Sequence, residues 1–296
     1  MKQIIQPSLW FDDKCEEAMN FYISVFPGSK ISSIEYYPKN AADPHLKGMD
    51  GKVLHGEFEL CGRQFVALDG GPVFTFNPSK SFIVNCDTAA EVDAIWEKLS
   101  DDGNVLMELG EYPFSPHYGW IQDKYGLSWQ LLQGKPDGDK RPGIVPSIMF
   151  IHANAGQAEA ARDFYLSVFK PSQAGNLWPY EPGTAPDDVS KVAYEDFQLL
   201  GEWFAAMDAG RDMHDFDLNE AVSFVINCKD QTEIDYYWGK LSDVPEAEQC
   251  GWCKDKFGIS WQIIPENMGE LVSTPAAMEA MMKMHKIDIA ALENAA

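Results

Sequence analysis

The chain has 296 residues, 45% of them hydrophobic and 23% charged, which is the composition of a globular protein with room for about two domains. Its 46 acidic against 23 basic residues give a formal charge of −23, and that negative field repels phosphate backbones and anionic headgroups, so neither nucleic acid nor a membrane surface is an expected partner. No apolar stretch near the start is long enough for a secretory signal, polar residues interrupt every apolar run short of a membrane span, and six cysteines do not make a disulfide framework, so a cytoplasmic protein with reduced thiols is expected.

In chain order, Ile5 to Phe11 reads as a strand, and Cys15, Ala18, Tyr22, Val25 and Phe26 then form one apolar stripe at helical spacing, stopped by Pro27-Gly28. Val53 to Leu60 and Gln64 to Leu68 read as a hairpin around Cys61-Gly62. A second strand and helix follow, Ser81 to Asn85 and then Val92, Ile95, Trp96 and Leu99, and further strands end at Trp129-Gln130. Every part recurs downstream. Pro7-Ser8 returns as Pro146-Ser147, a shift of 146 − 7 = 139, and the segment Gly119 to Leu132 lies over Gly251 to Ile264 with eight of fourteen positions identical. Each copy thus reads as two βαβββ modules.

The predicted layout is a first domain over residues 1–134, a Pro- and Gly-rich linker over 135–143, a second domain over 144–272 and one C-terminal helix over 273–296 carrying Met278, Met281, Met282, His285, Ile289 and Leu292. Cys250-Gly-Trp-Cys253 has redox spacing, but it opens a strand-like segment and has no second pair to complete a zinc site, so structural cysteines are expected.

Two βαβββ modules ending in Asp123-Lys-Tyr-Gly-Leu-Ser-Trp-Gln130 resemble the vicinal-oxygen-chelate superfamily, the glyoxalase, bleomycin-resistance and extradiol-dioxygenase group. Pro7-Ser-Leu-Trp-Phe-Asp12, Glu16-Glu-Ala-Met-Asn-Phe-Tyr22 and Asp69-Gly-Gly-Pro72 are similar to its PhnB-like branch, often labelled 3-demethylubiquinone-9 3-methyltransferase. The resemblance implies an α+β fold of tandem domains, four βαβββ modules forming cupped mixed β-sheets with helices outside. It also implies a divalent metal held by His and Glu from the first, fifth and eighth strands. Those positions map here to Pro7 or Ser8, Ser81 and Gln130, and to Pro146 or Ser147, Ser223 and Gln262. Hydroxyls and amides are weak ligands for a transition metal, so no metal and no cofactor is expected. The methyltransferase label implies S-adenosylmethionine, yet the chain has no Gly-rich first turn.

Alternation along Val53 to Leu60 sets His55, Glu57 and Glu59 on the face opposite Phe58 and Leu60. With Gln130 across the cleft, His55 and Glu57 are candidates to hold a metal or to act as a general acid–base pair; the alternative is a solvated strand face without a role. The second copy has Tyr194, Asp196 and Gln198 there, which assigns any metal capacity to the first copy. His117 is a candidate for the pocket rim.

The leading expectation is a metal-free protein that binds an unidentified small molecule in an aromatic-lined cup. Ser81, Gln130, Ser223 and Gln262 would supply its polar contacts, and Trp10, Phe74 and Phe76 its aromatic ones. One rival is a metal-dependent lyase, isomerase or dioxygenase using His55 and Glu57. Another is an assembly module, a possible homodimer formed through the C-terminal helix.

Overall fold

The computed structural model describes residues 3–37, 48–134 and 138–295. The first module comprises β1 (Ile5–Phe11), α1 (Cys15–Val25), β2 (Lys30–Tyr36), β3 (Val53–Leu60) and β4 (Arg63–Asp69). The second comprises β5 (Lys80–Cys86), α2 (Ala89–Leu99), β6 (Asn104–Tyr112), β7 (Ser115–Gln122) and β8 (Ser128–Gln133). The third repeats the pattern with β9 (Ile144–Phe150), α3 (Ala158–Val168), β10 (Ser172–Pro179), β11 (Val192–Leu199) and β12 (Glu202–Asp208). The fourth is shorter: β13 (Val222–Cys228), α4 (Gln231–Leu241), β14 (Trp252–Lys254) and β15 (Ser260–Pro265). Where the others have a strand after the helix, it has a 3-10 turn over Pro245–Ala247, whose proline has no N–H to give to a ladder.

Two compact units arise, and they do not coincide with the two sequence copies. One runs from Leu9 to Ala221; the other joins the chain from Val222 onward to the N-terminal residues through Ser8. Within the larger unit lies an eight-stranded sheet in the order β10-β11-β12-β9-β5-β8-β7-β6. Its centre is the antiparallel pair β5 and β9, with Ser81 opposite Ser147, so the second module of copy one pairs with the first module of copy two. The same unit holds α1 over the strands β4-β3-β2, with the end of β1 bonded at Gly70 N to Phe11 O. In the smaller unit β15 lies between β14 and β13, and Asn227 N donates to Ile4 O at the start of β1.

Strand alternation explains the layering of the eight-stranded sheet. Phe82, Trp129, Ile148, Phe197 and Phe204 are fully buried on the helix side, and Trp129 meets Tyr22 and Phe26 of α1 at centroid distances of 5.4 and 5.0 Å. α2 opens on a reciprocal capping box between Thr88 and Glu91, and α4 on the Asp230 carboxylate accepting from Glu233 N. The copies differ beneath their first helices. Met19 packs over Gly56, where a Cβ would come within 2.7 Å of its side chain, whereas the matching positions in copy two hold an ion pair of Arg162 and Glu195 at 2.7 Å.

The most repeated segment is a turn staple. Asp123 Oδ1 accepts from the N–H groups of Tyr125 and Leu127, and Oδ2 from the indole of Trp129. Asp255 does the same for Phe257, Ile259 and Trp261.

The cysteines are all free, and burial pushes the thiols of Cys86 and Cys228 up to about 12. Cys250 sits in a tight turn at φ 52° and Cys253 is buried in β14. Burial raises both thiols, the opposite of a redox pair.

After β15 comes the short α5 (Met268–Leu271), and the single helix expected over 273–296 is instead two pieces, α6 (Pro275–Met282) and α7 (Ile289–Ala295). The break falls where Cys250 N and Gly251 N donate to the carbonyls of Met284 and His285, an extended contact that a continuous helix could not make. Among the described helices none is long and apolar enough to cross a membrane.

Candidate functional site

The face of the eight-stranded sheet turned away from α2 and α3 carries three rows of side chains. The central row is polar: Ser128 on β8, Ser81 on β5 and Ser147 on β9 are in register, with Ala205 on β12 beside Ser147, and Gln130, two residues beyond Ser128 on the same face of β8, reaches back to Ser81. Gln130 Nε2 donates to Ser81 Oγ at 2.8 Å, and the Tyr118 hydroxyl donates to Gln130 Oε1 at 2.8 Å. Burial pushes the Tyr118 phenol upward, which keeps it a neutral donor. Ser147 is 2% exposed and its hydroxyl has no hydrogen-bond partner.

Apolar rows flank this polar one. On one side Ile83, Val145 and Ala205 pack with Leu132, Tyr194 and Trp203; on the other Met149, Ile151 and Ala209 pack with Trp120, Met207 and Phe216. The partly buried rings and side chains of these rows place the rim in reach of solvent.

Polar groups close each end. Arg141, from the segment read as a linker, donates to both carboxylate oxygens of Asp196, at 2.9 and 3.2 Å, and its guanidinium lies 3.9 Å from the Trp203 ring centroid. Asp196 also accepts from the Tyr194 hydroxyl and from Asn176 N, so its lone pairs are committed. Buried Arg63 donates to the Trp203 carbonyl and fixes that strand end. At the opposite end the His152 ring has Nδ1 2.7 Å from the Arg211 carbonyl and Nε2 2.9 Å from that of Phe216, which ties the Phe216 segment to the start of module three.

A polar cleft of about 680 Å³ also opens beside α3, lined by His152, Gln157, Asp188, Lys191, Arg211 and Asp212. Its charges answer each other, Arg211 standing 3.7 Å from Asp188, so the three-row face is the better candidate site.

The structure brings Ser81 and Gln130 together, as it does Ser223 and Gln262 on the smaller unit, where Gln262 Nε2 donates to Ser223 Oγ at 3.0 Å. It separates others. His55 and Glu57 lie side by side on β3, 3.4 Å apart, whereas Gln130 belongs to β8 in the eight-stranded sheet; the expectation that it faces them across one cleft is therefore corrected. That expectation assumed pairing within a copy. Trp10 and Phe74 pack edge to face at 5.1 Å, Phe11 and Phe76 likewise, and the Trp10 indole donates to Gly71 O, so these rings close the connection after β4. His117 points to the helix side and meets Asp93 of α2 at 2.6 Å, away from the face that Tyr118 occupies. Ser147, Arg141 and Trp203 carry much of the site. The sequence offered Ser147 only as one of two mapped strand positions, and a lone arginine in a turn-rich segment gave no signal.

The donor types of the central row do not suit the divalent transition metal that the fold implies: three hydroxyls, one amide and a methyl offer no imidazole or thiolate, and the carboxylate next in register, Asp196, is held by Arg141, Tyr194 and Asn176 N. Among the described residues no three His, Cys, Asp or Glu side chains are grouped to hold a metal. An S-adenosylmethionine site fits no better. The turns into α2 and α4 are capped by the Thr88 and Asp230 side chains rather than left open as a Gly-rich cradle.

A family model described as 3-demethylubiquinone-9 3-methyltransferase matches residues 3–132 and again 142–264. Among solved structures, the PhnB protein of Bacillus cereus is 46% identical over 45% of this chain and 100% of its own, with a TM-score of 0.42. A Staphylococcus aureus protein is 30% identical over 46% of this chain and 100% of its own, with a TM-score of 0.20. Glyoxalase I of Zea mays, 11% identical, aligns over 89% of this chain and 94% of its own at a TM-score of 0.54, a likeness of fold. No curated protein matches.

Proposed function

Because the chain belongs to the 3-demethylubiquinone-9 3-methyltransferase family, PhnB-like members of the vicinal-oxygen-chelate superfamily, we propose that it binds a small molecule on the three-row face without the superfamily metal. The observation that carries this reading is Ser147: a hydroxyl buried without a partner costs about 1–3 kcal/mol, and a ligand oxygen or nitrogen there removes that cost. Apolar rows on both sides supply the contact area that small ligands need, and a few placed polar groups fix orientation. The site draws on modules from both copies, β5 and β8 of the first and β9 and β12 of the second.

The test uses the neutral probe N-phenyl-1-naphthylamine, whose fluorescence rises in apolar surroundings. The full chain should bind it saturably, and Ser147→Phe or Ala205→Leu, each filling the central row, should weaken binding about tenfold or more at unchanged fold. Unaltered binding in both variants would sink the reading. Stoichiometric zinc, nickel, manganese or iron in the purified protein, retained through dialysis against a chelator, would overturn its metal-free part.

A second reading rests on His55 and Glu57, a histidine and a carboxylate 3.4 Å apart and partly buried on β3. Such a pair can act as general base and orienting acid, or hold a metal through the imidazole. If it does, His55→Ala abolishes metal uptake and turnover; a variant that keeps both dismisses the site.

A further inference from the structure

The hydrogen bonds of the central row have a direction, and the direction selects a ligand. Tyr118 donates to the Gln130 carbonyl oxygen, and the Gln130 amide donates to Ser81 Oγ. Ser81 therefore already accepts, and among the described residues no hydrogen bond from its own O–H is formed. Its cross-strand neighbours are Ser128, which accepts from the Trp120 indole, and Ser147, whose hydroxyl has no partner at all. Directly opposed side chains on one face of an antiparallel pair stand about 5 Å apart at Cβ, the spacing at which two hydroxyls converge on one oxygen. Ser81 and Ser147 are both at least nine-tenths buried.

No formal charge is free to meet an ionic ligand here. The polar row is hydroxyl and amide; at the Trp203 end the Arg141 guanidinium is already held by Asp196 with both oxygens, and Arg63 is turned to the Trp203 carbonyl and Glu202. A carboxylate or ammonium seated on the row would lose its hydration without gaining a counter-ion. Apolar rows lie on both sides of the polar one, so the complementary molecule is apolar at both ends and polar in the middle.

From this we infer that the site recognises an uncharged molecule carrying a carbonyl oxygen between two apolar or aromatic arms, the oxygen accepting from the hydroxyls of Ser81 and Ser147. This inference rests on the binding reading above and adds to it the chemical class. The pattern is repeated on the smaller unit, where the Gln262 amide donates to Ser223 Oγ in the same sense.

Benzophenone, diphenylmethane and diphenylacetate form a matched probe set, sharing two aryl arms and differing in the central group. Their dissociation constants are measured on the full chain by calorimetry and by saturation-transfer NMR. Benzophenone should bind about tenfold more tightly than diphenylmethane, and diphenylacetate more weakly than both, since the variable is one buried hydrogen-bonded oxygen or one unpaired charge. Ser81→Ala and Ser147→Ala should each reduce the preference for benzophenone to below about threefold while leaving diphenylmethane binding unchanged; the unfolding midpoint should fall in Ser81→Ala, which strands the Gln130 amide, and rise in Ser147→Ala, which removes an unpartnered hydroxyl. Equal binding of the ketone and the hydrocarbon by the wild-type chain, or a preference that survives both substitutions, would overturn carbonyl recognition and leave the binding reading standing. Failure of all three probes to bind would overturn both.

Discussion

Trp129 gives its indole N–H to the buried carboxylate of Asp123 at 2.8 Å, and the other oxygen of the same carboxylate holds the turn that delivers the tryptophan. With Trp129 wedged between α1 and β5, this one acid joins a turn, a strand and a helix. Asp123→Ala strands three buried donors, and orphaned donors cost about 1 kcal/mol or more each, so the variant should lose about 3 kcal/mol. Urea denaturation checks this. Asp123→Asn, which retains one carbonyl oxygen, should fall between the two, and probe binding should scale with the folded fraction alone.

The same relationship explains how far the sequence could be read. The segment from Asp123 to Gln130 identified fold and family because turn, indole and strand must occur together for the staple to form, and it recurs at Asp255 for the same reason. Of its residues, Ser128 and Gln130 face the site. Module pairing was not legible. β5 and β9 present matching alternation, and nothing in either strand says whether Ser81 sits opposite a strand of its own copy or of the next. From that gap came the placement of Gln130 across from His55, and the question of which copy works, which loses its meaning once the site is built from both. Arg141 was illegible for another reason: its partners, Asp196 and Trp203, lie more than fifty residues away, and no local pattern marks a side chain whose role depends on long-range pairing.

Glu195 and Arg162 replace the Gly56 and Met19 of the first copy, and burial pushes the Glu195 carboxyl up to about 7. Its ordinary value is near 4.5. Between these values the folded chain holds a proton that the unfolded chain has released, so this group's contribution to stability falls as pH rises from about 4.5 through about 7 and is level above that. The double variant Arg162→Met/Glu195→Gly restores the pairing of copy one and should flatten that part of the profile, removing a pH dependence of about 3 kcal/mol in all. At pH 8 it should be at least as stable as the wild type, since well-packed apolar replacements of buried ion pairs are neutral or stabilising. Arg162→Met alone should be strongly destabilised at pH 8 and less so at pH 5. Parallel profiles for wild type and double variant would refute the assignment.

Removal of residues 273–296 tests the C-terminal pieces as part of their own unit. Ala277, Ile287 and Leu292 are buried, Gln231 bonds to both Ile287 O and Ile289 N, and the carbonyls of Met284 and His285 satisfy Cys250 and Gly251. The truncated chain should lose about 3 kcal/mol or more, seen as an earlier unfolding transition, because it exposes apolar surface and frees two N–H groups. Light scattering after gel filtration should show the oligomeric state of the intact chain. A changed state at unchanged stability would instead assign these helices to assembly.

Arg141 covers one end of the candidate site by stacking on Trp203 while neutralising Asp196, a carboxylate only 2% exposed. Arg141→Ala should therefore have two separable effects. Loss of the guanidinium leaves Asp196 with the Tyr194 hydroxyl and Asn176 N alone, and an under-compensated buried acid should cost about 2 kcal/mol at pH 7. Uncovering Trp203 should also speed entry and exit of N-phenyl-1-naphthylamine several-fold in stopped-flow fluorescence, with a smaller change in affinity. Arg141→Ala combined with Asp196→Asn separates them: stability should return toward the wild type because no charge is left unpaired, whereas the faster exchange should persist because the ring stays uncovered. Exchange rates that recover together with stability would mean that the arginine acts through Asp196 alone and closes nothing.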